Sequence, residues 1–319
     1  MSNPLELMKP VFSRLLISLC LLGLSDCRRA RELGQPKAVP VRVDGALELR
    51  LMSFNVRYEN EGDTDSRAWR QRVIGAVRMI REEAPDVIGV QEALHGQVAD
   101  LWASLPEYEF FGVGRDDGKR EGEYSGIFYQ RDRFERDLSD SGTFWLSDTP
   151  EQPGSKTWGN EIPRVATWIR LVDRATQRGF YVFNTHWDHR NQESRERAAL
   201  SIAKRIDSRK FPELPVVVLG DFNAVEGNPG VAYFSGKHVN LSGRDEVWTH
   251  RMIDAFQARN PNEPNRTTLH FWEGTRKGTR KVDHILVSEG ARVLDAGIRD
   301  RDQPTVSDHF PVTARVIFP

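Results

Sequence analysis

The part of this 319-residue sequence that is expected to fold has no cysteine, because Cys20 and Cys27 both lie near the N-terminus. This absence excludes a disulfide framework, a thiolate metal site and a cysteine nucleophile from that part. Any metal site there must use oxygen and imidazole ligands. The sequence also has no H-E-x-x-H motif, and its histidines stand beside carboxylates rather than as a ligand set, which makes zinc a poor fit.

The sequence has almost no excess charge. Its 45 lysines and arginines nearly balance 46 aspartates and glutamates, so the formal net charge is −1. No overall field attracts DNA or a membrane surface, and any polyanion would have to bind a local patch. Hydrophobic residues make up 39% and charged residues 29%, a balance that is typical of a globular protein with an adequate core.

Long apolar runs are scarce, and the clearest one, LLISLCLLGL, is too short to span a bilayer comfortably. Lys9 and Arg14 precede this run and a basic pair follows it, which is the arrangement of an export signal. A buried helix is the weaker alternative. We therefore expect residues 1–27 to be an export signal, so that the protein is periplasmic, envelope-anchored or extracellular. The segment LSDC resembles a lipobox, in which Cys27 would carry lipid, although Asp26 departs from that pattern.

Residues 28–46 are polar and include Pro36, Pro40 and Gly45, so we expect a flexible tether. No repeat, low-complexity segment or Pro/Gly-rich linker divides residues 47–319, which predicts one domain. Short apolar strands intermix with helical patterns such as those of 66–85 and 196–206, yet several strands adjoin without a helix between them. This pattern favours an α/β fold with antiparallel or mixed sheets and helices outside.

Polar residues stand at or near the ends of apolar runs in six places. Any single one is more often a capped turn than a ligand. Six in one domain favour convergence on a site, because a rigid sheet holds strand-end residues in fixed positions. The six motifs are SFN with Asn55, VQE with Glu92, NTHWDH with His186, Asp188 and His189, GDFN with Asp221 and Asn223, VDH with Asp283, and SDH with Asp308 and His309.

Converging carboxylates require a cation. Two carboxylates about 5 Å apart repel each other by roughly 3 kcal/mol at an effective dielectric constant of about 20. If the acidic residues of these motifs meet, a hard divalent ion with oxygen ligands fits them, and we expect Mg²⁺, with Mn²⁺ or Ca²⁺ as alternatives. Magnesium held by few protein oxygens binds phosphate oxygens, while a carboxylate activates water and an imidazole stabilises negative charge. The residues thus predict phosphoester hydrolysis.

Six motifs, SFNVRY, VIGVQEAL, NTHWDH, VVVLGDFNA, VDHILVS and SDHFPV, resemble those of the endonuclease/exonuclease/phosphatase superfamily and occur in the same order. The resemblance covers residues 47–318. The segments 114–129 and 163–168 look like an exported bacterial branch that is similar to nocturnin-like and sphingomyelinase-like members. The resemblance implies a deoxyribonuclease-like α/β fold, a four-layer αββα sandwich of two mixed β-sheets flanked by helices. The site would lie at one end of the sheets.

The resemblance also implies roles for the motif residues. Glu92 matches the principal metal ligand, with Asn55 beside it, and Asp308 matches a further acidic position at the metal site. Asp221 matches the residue that activates water, and Asn223 matches the amide that positions this water.

The remaining three catalytic assignments concern the two histidines and one carboxylate. His309 matches the imidazole that faces the phosphate, and Asp283 matches the carboxylate that orients this ring. His186 matches a residue that contacts the phosphate.

Six further residues are candidate substrate contacts, and a structural role is at least as consistent with each pattern. An arginine can bind phosphate bidentately or lie on a solvated strand edge. The residues that follow the NTHW motif can shape a pocket or form an exposed turn with local hydrogen bonds. A histidine can face the cleft or be half-buried and satisfied. These candidates are Arg57, Arg164, Asp188, His189, Arg190 and His270.

The sequence favours a metal-dependent phosphodiesterase that acts on nucleic acid or a nucleotide-like ester. The alternative keeps the chemistry and changes the substrate to a phospholipid, sugar phosphate or inositol phosphate. A non-catalytic binding module on this fold is disfavoured, because every expected catalytic side chain is present. The basic run GTRKGTRK (274–281) could guide a polyanion to the site or be a solvated loop. No stable protein partner is evident, and we expect a monomer that touches a membrane only through a lipid anchor at Cys27.

Overall fold

The structure, a computed structural model, describes residues 45–301 and 306–319. The predicted export signal and nearly all of the predicted tether lie outside the described residues. No helix among the described residues is long and apolar enough to cross a membrane. The strands are β1 (Leu47–Asn55), β2 (Val87–Ala93), β3 (Tyr108–Phe111), β4 (Tyr124–Gln130), β5 (Phe134–Trp145), β6 (Val165–Asp173), β7 (Gly179–His186), β8 (Val216–Asp221), β9 (Val239–Leu241), β10 (Arg244–Glu246), β11 (Met252–Asp254), β12 (Asp283–Ser288), β13 (Arg292–Ile298) and β14 (Val312–Phe318).

The described residues form fewer helices than strands. A single 3₁₀ turn precedes the first of them. The helical segments are the 3₁₀ turn Asp65–Arg67, α1 (Trp69–Glu83), α2 (His95–Ser104), α3 (Gln192–Asp207), α4 (Pro229–Phe234) and α5 (Ala255–Arg259).

Twelve of these strands form two six-stranded sheets. Sheet 1 has the order β13-β14-β1-β2-β4-β3, and sheet 2 has the order β11-β12-β8-β7-β6-β5. The central pair of each sheet, β1 with β2 and β7 with β8, is parallel. The flanking pairs are antiparallel, so both sheets are mixed, as the sequence predicts.

The two sheets pack face to face and are covered by helices on their outer faces. Along β1, Leu49 and Leu51 join the core between the sheets with Leu219 of β8, whereas Phe54 packs on the opposite face with residues of α1 and α2. This division follows from the two-residue period of a strand. Phe183 of β7 packs outward with residues of α3 and α4. The layers are therefore helix, sheet, sheet and helix, which confirms the predicted αββα sandwich.

Local sequence signals explain where the helices begin and end. The helix predicted over 66–85 begins later, at Trp69, because Ala68 is extended and separates it from the 3₁₀ turn. It stops at Glu83, because Ala84 takes a left-handed φ of 43° directly before Pro85. The helix predicted over 196–206 begins four residues earlier, at Gln192, because the side chain of Asn191 accepts a hydrogen bond from the Ser194 N–H and caps it.

The parallel central strands end on the same side of the sandwich and place four polar residues there. Asn55 and Glu92 lie at the carboxyl ends of β1 and β2, and His186 and Asp221 end β7 and β8. β8 approaches β7 closely at this edge, since a Cβ at Gly220 would lie 2.1 Å from the Thr185 carbonyl oxygen. Glycine is thus required at this position before Asp221, where φ is also +149°.

Candidate active site

The candidate site is centred on Asp221, whose side chain lies between the ends of the two sheets. The Asn55 side-chain amide on sheet 1 donates to Asp221 Oδ2 at 3.0 Å and to Glu92 Oε1 at 2.9 Å. Asp221 is only 1% exposed. The bonds from Asn55 therefore join a carboxylate of each sheet through one amide group.

Two imidazoles face the same carboxylate. His186 Nε2 lies 3.5 Å and His309 Nε2 lies 3.8 Å from Asp221 Oδ2. His309 Nδ1 lies 2.9 Å from Asp283 Oδ2, so this nitrogen donates to the carboxylate and leaves Nε2 directed at the site. Asp283 is in this position because it begins β12, directly opposite Asp221 in the antiparallel ladder.

Asn223 is held by its own turn. Its backbone N–H donates to Asp221 Oδ1 at 2.8 Å, and its side-chain amide donates to the Trp187 carbonyl at 3.0 Å. Its φ of +46° is left-handed, as are those of Glu92 (+65°) and Arg57 (+58°). Such conformations cost about 1–3 kcal/mol each and tend to cluster at functional sites.

Asp308 reaches the site from the segment before β14. Ser307 Oγ donates to the Asn55 carbonyl at 2.7 Å, which fixes this segment against the end of β1. Asp308 Oδ2 lies 3.8 Å from Arg57 Nη1. Burial raises the pKa of the Asp308 carboxyl, and the negative charge of Glu92 raises it further, so the two carboxylates repel each other.

Burial and neighbouring charges also shift the pKa values of Asp221, His309 and His186, and they shift the two histidines in opposite directions. Burial and the charge of Asp283 raise the pKa of Asp221 to about 7. Burial alone would lower the pKa of His309, but Asp283 raises it well above its usual value. Burial and the positive charges of Arg164 and Arg115 lower the pKa of His186 far below its usual value. At neutral pH the site thus holds a protonated His309 and a neutral His186.

The donor atoms could hold a hard divalent cation. Glu92, His186 and Asp221 each offer one ligand atom, and these atoms lie within 4.8 Å of one another. The same is true of Asp221, Asp283 and His309, but the last two satisfy each other by their hydrogen bond. The Glu92 side, with Asn55 adjacent, is therefore better suited to a cation. Oxygen ligands dominate there, and a cation would relieve the repulsion among the carboxylates.

Comparison with known proteins identifies the family. The model of the Endonuclease/Exonuclease/phosphatase family matches residues 52–309. The chain belongs to this endonuclease/exonuclease/phosphatase family. Members of the family are phosphoester hydrolases, so this chain has the fold of an enzyme of that class, and the resemblance seen in its motifs is confirmed. A search of curated proteins found no match.

Solved structures of the family resemble the whole described fold. An endonuclease/exonuclease/phosphatase from Bacteroides vulgatus is 33% identical, with a TM-score of 0.76 over 86% of this chain and 100% of that chain. A mannosyl-6-phosphatase from Bacteroides thetaiotaomicron is 30% identical, with a TM-score of 0.75 over 85% of this chain and 100% of that chain. The human nocturnin catalytic domain, 18% identical with a TM-score of 0.64 over 88% of this chain and 100% of that chain, shares the fold.

Arg164, one of the candidate substrate contacts, is buried and only 3% exposed. Its Nη2 lies 3.2 Å from His189 Nδ1, while Nε and Nη1 have no hydrogen-bond partner among the described residues. Burial and the charge of Arg115 lower the pKa of Arg164. A buried guanidinium with two nitrogens that lack hydrogen-bond acceptors is costly, and an anion in the cleft would supply them.

Three other candidate substrate contacts, Asp188, Arg190 and Arg57, lie farther from Asp221 or are engaged by other residues. Asp188 Oδ1 accepts the N–H groups of Arg190 and Asn191, as a turn residue does. Arg190 lies on the surface, where it pairs with Glu161, and is not brought to the site. Arg57 pairs with Asp63 at 3.0 Å beside Asp308.

His270 is buried next to the site, where its ring packs on Phe310 with centroids 4.0 Å apart. Its Nδ1 accepts the Gly274 N–H at 3.2 Å, and its Nε2 has no partner among the described residues. Burial and the charge of His309 lower the pKa of His270 to about 4, so the ring is neutral at neutral pH.

Sequence reasoning missed an ion pair at the site. Arg115 donates two hydrogen bonds to Glu123, at 2.5 and 2.8 Å, and Glu123 Oε2 lies 3.7 Å from His186 Nδ1. Both residues belong to the segment 114–129 that resembles a bacterial branch of the family. The spacing in that segment gives no sign that the two ends of its loop pair beside His186.

Proposed function

We propose that this protein is a divalent-metal-dependent phosphoester hydrolase whose substrate is a small phosphomonoester of the sugar-phosphate class. The observation that carries the chemistry is the convergence on Asp221. Groups from both sheets and from the segment before β14 meet there within hydrogen-bonding or near-contact distance. The groups that converge are Asn55, Glu92, His186, Asn223, Asp283 and His309.

In the proposed reaction, Asp221 orients a water molecule and accepts its proton, and Asn223 helps to position this water. His309, protonated and held by Asp283, donates to the phosphate as negative charge develops. His186 offers a neutral ring to a phosphate oxygen. A divalent cation, which we expect to be Mg²⁺, would supply positive charge that polarises the phosphate and would be held by Glu92 with Asn55 and Asp308 beside it.

The buried Arg164 supports a monoester over a diester. A phosphomonoester is largely dianionic at neutral pH, whereas a phosphodiester carries one negative charge. The guanidinium of Arg164 adds a cation, with two nitrogens that have no acceptor among the described residues, to a site that already has the protonated His309. Charge-assisted hydrogen bonds to a second anionic oxygen would favour the dianion.

The basic run 274–281 gives little support to the nucleic-acid hypothesis. Lys281 is buried and pairs with Asp254 at 2.8 Å, so it cannot meet a polyanion at the surface. Arg276 lies near Glu263 and Asp300, at 3.6 and 3.5 Å. Two of the four cations are thus engaged by carboxylates, and no continuous track of free positive charge is present in this run.

The relative from Bacteroides thetaiotaomicron also supports a sugar phosphate. It is a mannosyl-6-phosphatase, is 30% identical and has a TM-score of 0.75. Its substrate suggests the class of compound with which to begin, and the phosphodiesterase hypothesis becomes the alternative outcome of the same assay.

A panel of phosphoesters tests the proposal. Purified protein is assayed with mannose 6-phosphate, other hexose phosphates, bis(p-nitrophenyl) phosphate, single-stranded RNA and sphingomyelin, with Mg²⁺ and with EDTA. We expect hexose phosphates to be hydrolysed fastest and EDTA to abolish turnover. Faster cleavage of RNA or the diester would restore the nuclease hypothesis, and turnover that persists in EDTA would overturn metal dependence. Asp221→Asn is the negative control.

We also propose that the protein is exported through residues 1–27, functions as a monomer and is anchored, if at all, by lipid on Cys27. Labelled palmitate incorporated into the wild type but not into Cys27→Ser would support the anchor. Recovery of the wild-type protein in the cytoplasm, with its N-terminus uncleaved, would contradict export.

A further inference from the structure

A buried charged cluster lies behind the turn that carries Asn223, and the proposed reaction does not use it. We call Asp254, Lys281 and His284 the buried triad. Lys281 is 1% and His284 is 0% exposed, and the side chain of Asp254 is 13% exposed. Asp254 Oδ2 lies 2.8 Å from both Lys281 Nζ and His284 Nδ1, and Lys281 Nζ is 2.8 Å from the same Nδ1.

His284 connects this triad to the active-site turn. Its Nε2 lies 2.9 Å from the Ala224 carbonyl oxygen, and because a carbonyl only accepts, Nε2 must carry the hydrogen and donate it. The ring also stacks on Phe222, with centroids 5.0 Å apart and planes inclined by 26°. The imidazole thus contacts the residues immediately before and after Asn223.

The turn needs such an anchor because Asn223 has a left-handed backbone with a φ of +46°. On the site side, the turn is fixed by the bonds from Asn223 to Asp221 and to Trp187. Its backbone is also fixed by Phe222 N–H donating to the Val282 carbonyl at 2.8 Å. The bond from His284 holds the carbonyl that follows Asn223, and so limits how far this residue can rotate.

The triad also reaches the loop at a second point. Lys281 Nζ lies 3.8 Å from Glu226 Oε1, two residues beyond Ala224. Strand β12 thereby contacts the site from both of its faces. Asp283 bonds to His309 on one face, and the adjacent His284 bonds to Ala224 on the other.

We infer that His284, oriented by Asp254 and Lys281, is a positioning residue that holds the Asp221–Asn223 turn in the geometry that hydrolysis requires. Burying an ion pair and an imidazole gives no clear gain in stability over apolar packing of the same volume. A polar network that is hydrogen-bonded to the turn is better explained by function. The side-chain amide of Asn223 must be held in a fixed position if it is to orient a water molecule. This inference rests on the proposed function of Asp221 and Asn223.

Two amide substitutions at position 284 separate positioning from simple packing. In His284→Gln, the amide nitrogen can take the place of Nε2 and donate to Ala224. In His284→Asn, the shorter amide reaches the place of Nδ1, so it keeps the contact with Asp254 and loses the one with Ala224. Both variants lose the stacking on Phe222, and they differ from each other by one methylene group.

We expect His284→Gln to keep kcat within about 3-fold of the wild type, and His284→Asn to lose about 10- to 100-fold in kcat with little change in KM. The melting temperature should fall in both variants, and circular dichroism shows whether each is folded before kcat is compared. Equal kcat values for two folded variants, whether both high or both low, would overturn the inference.

A second measurement does not depend on the substrate. Hydrogen exchange of the backbone over 218–228 should be faster in His284→Asn than in His284→Gln, even if the wild type hydrolyses nothing on the panel. Equal exchange would overturn the positioning role, while the lack of turnover would overturn only the proposed function. If neither variant folds, Asp254→Asn replaces them, and full kcat in that folded variant would contradict the inference.

Discussion

The side-chain amide of Asn55 donates to Asp221 Oδ2 at 3.0 Å, although the two residues are 166 positions apart and belong to different sheets. The same amide donates to Glu92 at 2.9 Å. One neutral side chain therefore holds two carboxylates close together at the edge of the sandwich. The geometry of the site therefore depends on how the two sheets are placed against each other. The apolar core between the sheets sets this placement, so single residues of the site can be changed without removing it.

Asp221→Asn should abolish most activity without destabilising the fold. A general base contributes about 10²- to 10⁴-fold in rate, so we expect kcat to fall by that amount. The pKa of Asp221 is raised to about 7 by burial and by Asp283, which means that its charged form is disfavoured in the folded metal-free protein. A neutral amide removes this penalty. Urea unfolding of the metal-free variant should show equal or greater stability, and a kcat close to the wild type would contradict the assigned role.

Much of this site could be predicted because its residues directly follow, or directly precede, strands. Asp221 ends an apolar run that only a buried strand explains, and the fold family then places Asp283 and His309 around it. The burial of Lys281 was harder to predict, since a lysine in a GTRKGTRK run is usually solvated. Its burial depends on an ion pair with Asp254, which lies 27 positions earlier at the end of β11. The pairing of Arg115 with Glu123 was also hidden, because it depends on how one loop folds back beside His186.

Metal binding to the metal-free protein should release protons. A divalent cation favours the charged form of a carboxylate, so it lowers the pKa of Asp221 from about 7. Near pH 6.5 a large fraction of this group loses its proton when Mg²⁺ binds, and near pH 8.5 almost none does. Titration calorimetry in two buffers of different ionisation enthalpy measures this release.

Asp221→Asn is the control, because it should bind Mg²⁺ with little proton release. The cation should also stabilise the wild type by about 2.7 kcal/mol when its concentration is 100 times the Kd. No change in melting temperature at millimolar Mg²⁺ would count against a metal site.

Asp283→Asn should move the alkaline limb of the activity profile to lower pH. Burial alone lowers the pKa of His309, and the carboxylate of Asp283 is what raises it well above the usual value. Without that charge, His309 loses its proton at lower pH and can no longer donate to the phosphate. The pH dependence of kcat/KM tests this. Asp86→Asn, which breaks a buried 2.7 Å pair with Arg133 at the start of β2, should leave the limb in place.

Arg164→Gln should weaken monoester hydrolysis more than diester hydrolysis. A hydrogen bond to a charged group contributes about 1.5–3 kcal/mol, so kcat/KM for p-nitrophenyl phosphate should fall by about 10- to 150-fold. The loss with bis(p-nitrophenyl) phosphate should be smaller, because the diester lacks the second charge. Arg190→Gln is the matched control, since Arg190 is exposed and pairs with Glu161. Equal losses for both esters would remove the argument for a monoester.

Asp254→Asn should lower the free energy of unfolding at neutral pH and make this free energy less dependent on pH in acid. Burial alone would raise the pKa of Asp254, but Lys281 and His284 hold it well below its usual value of 3.8. Since the folded pKa lies below the unfolded one, this carboxylate stabilises the protein above about pH 4, and the contribution is lost as the pH falls toward the folded value. Removing one partner of a buried pair costs about 3–5 kcal/mol. Urea unfolding between pH 7 and pH 3 should therefore show the free energies of unfolding of the wild type and the variant converging as the pH falls. A constant difference across this range would mean that Asp254 stabilises the fold by packing rather than by its charge.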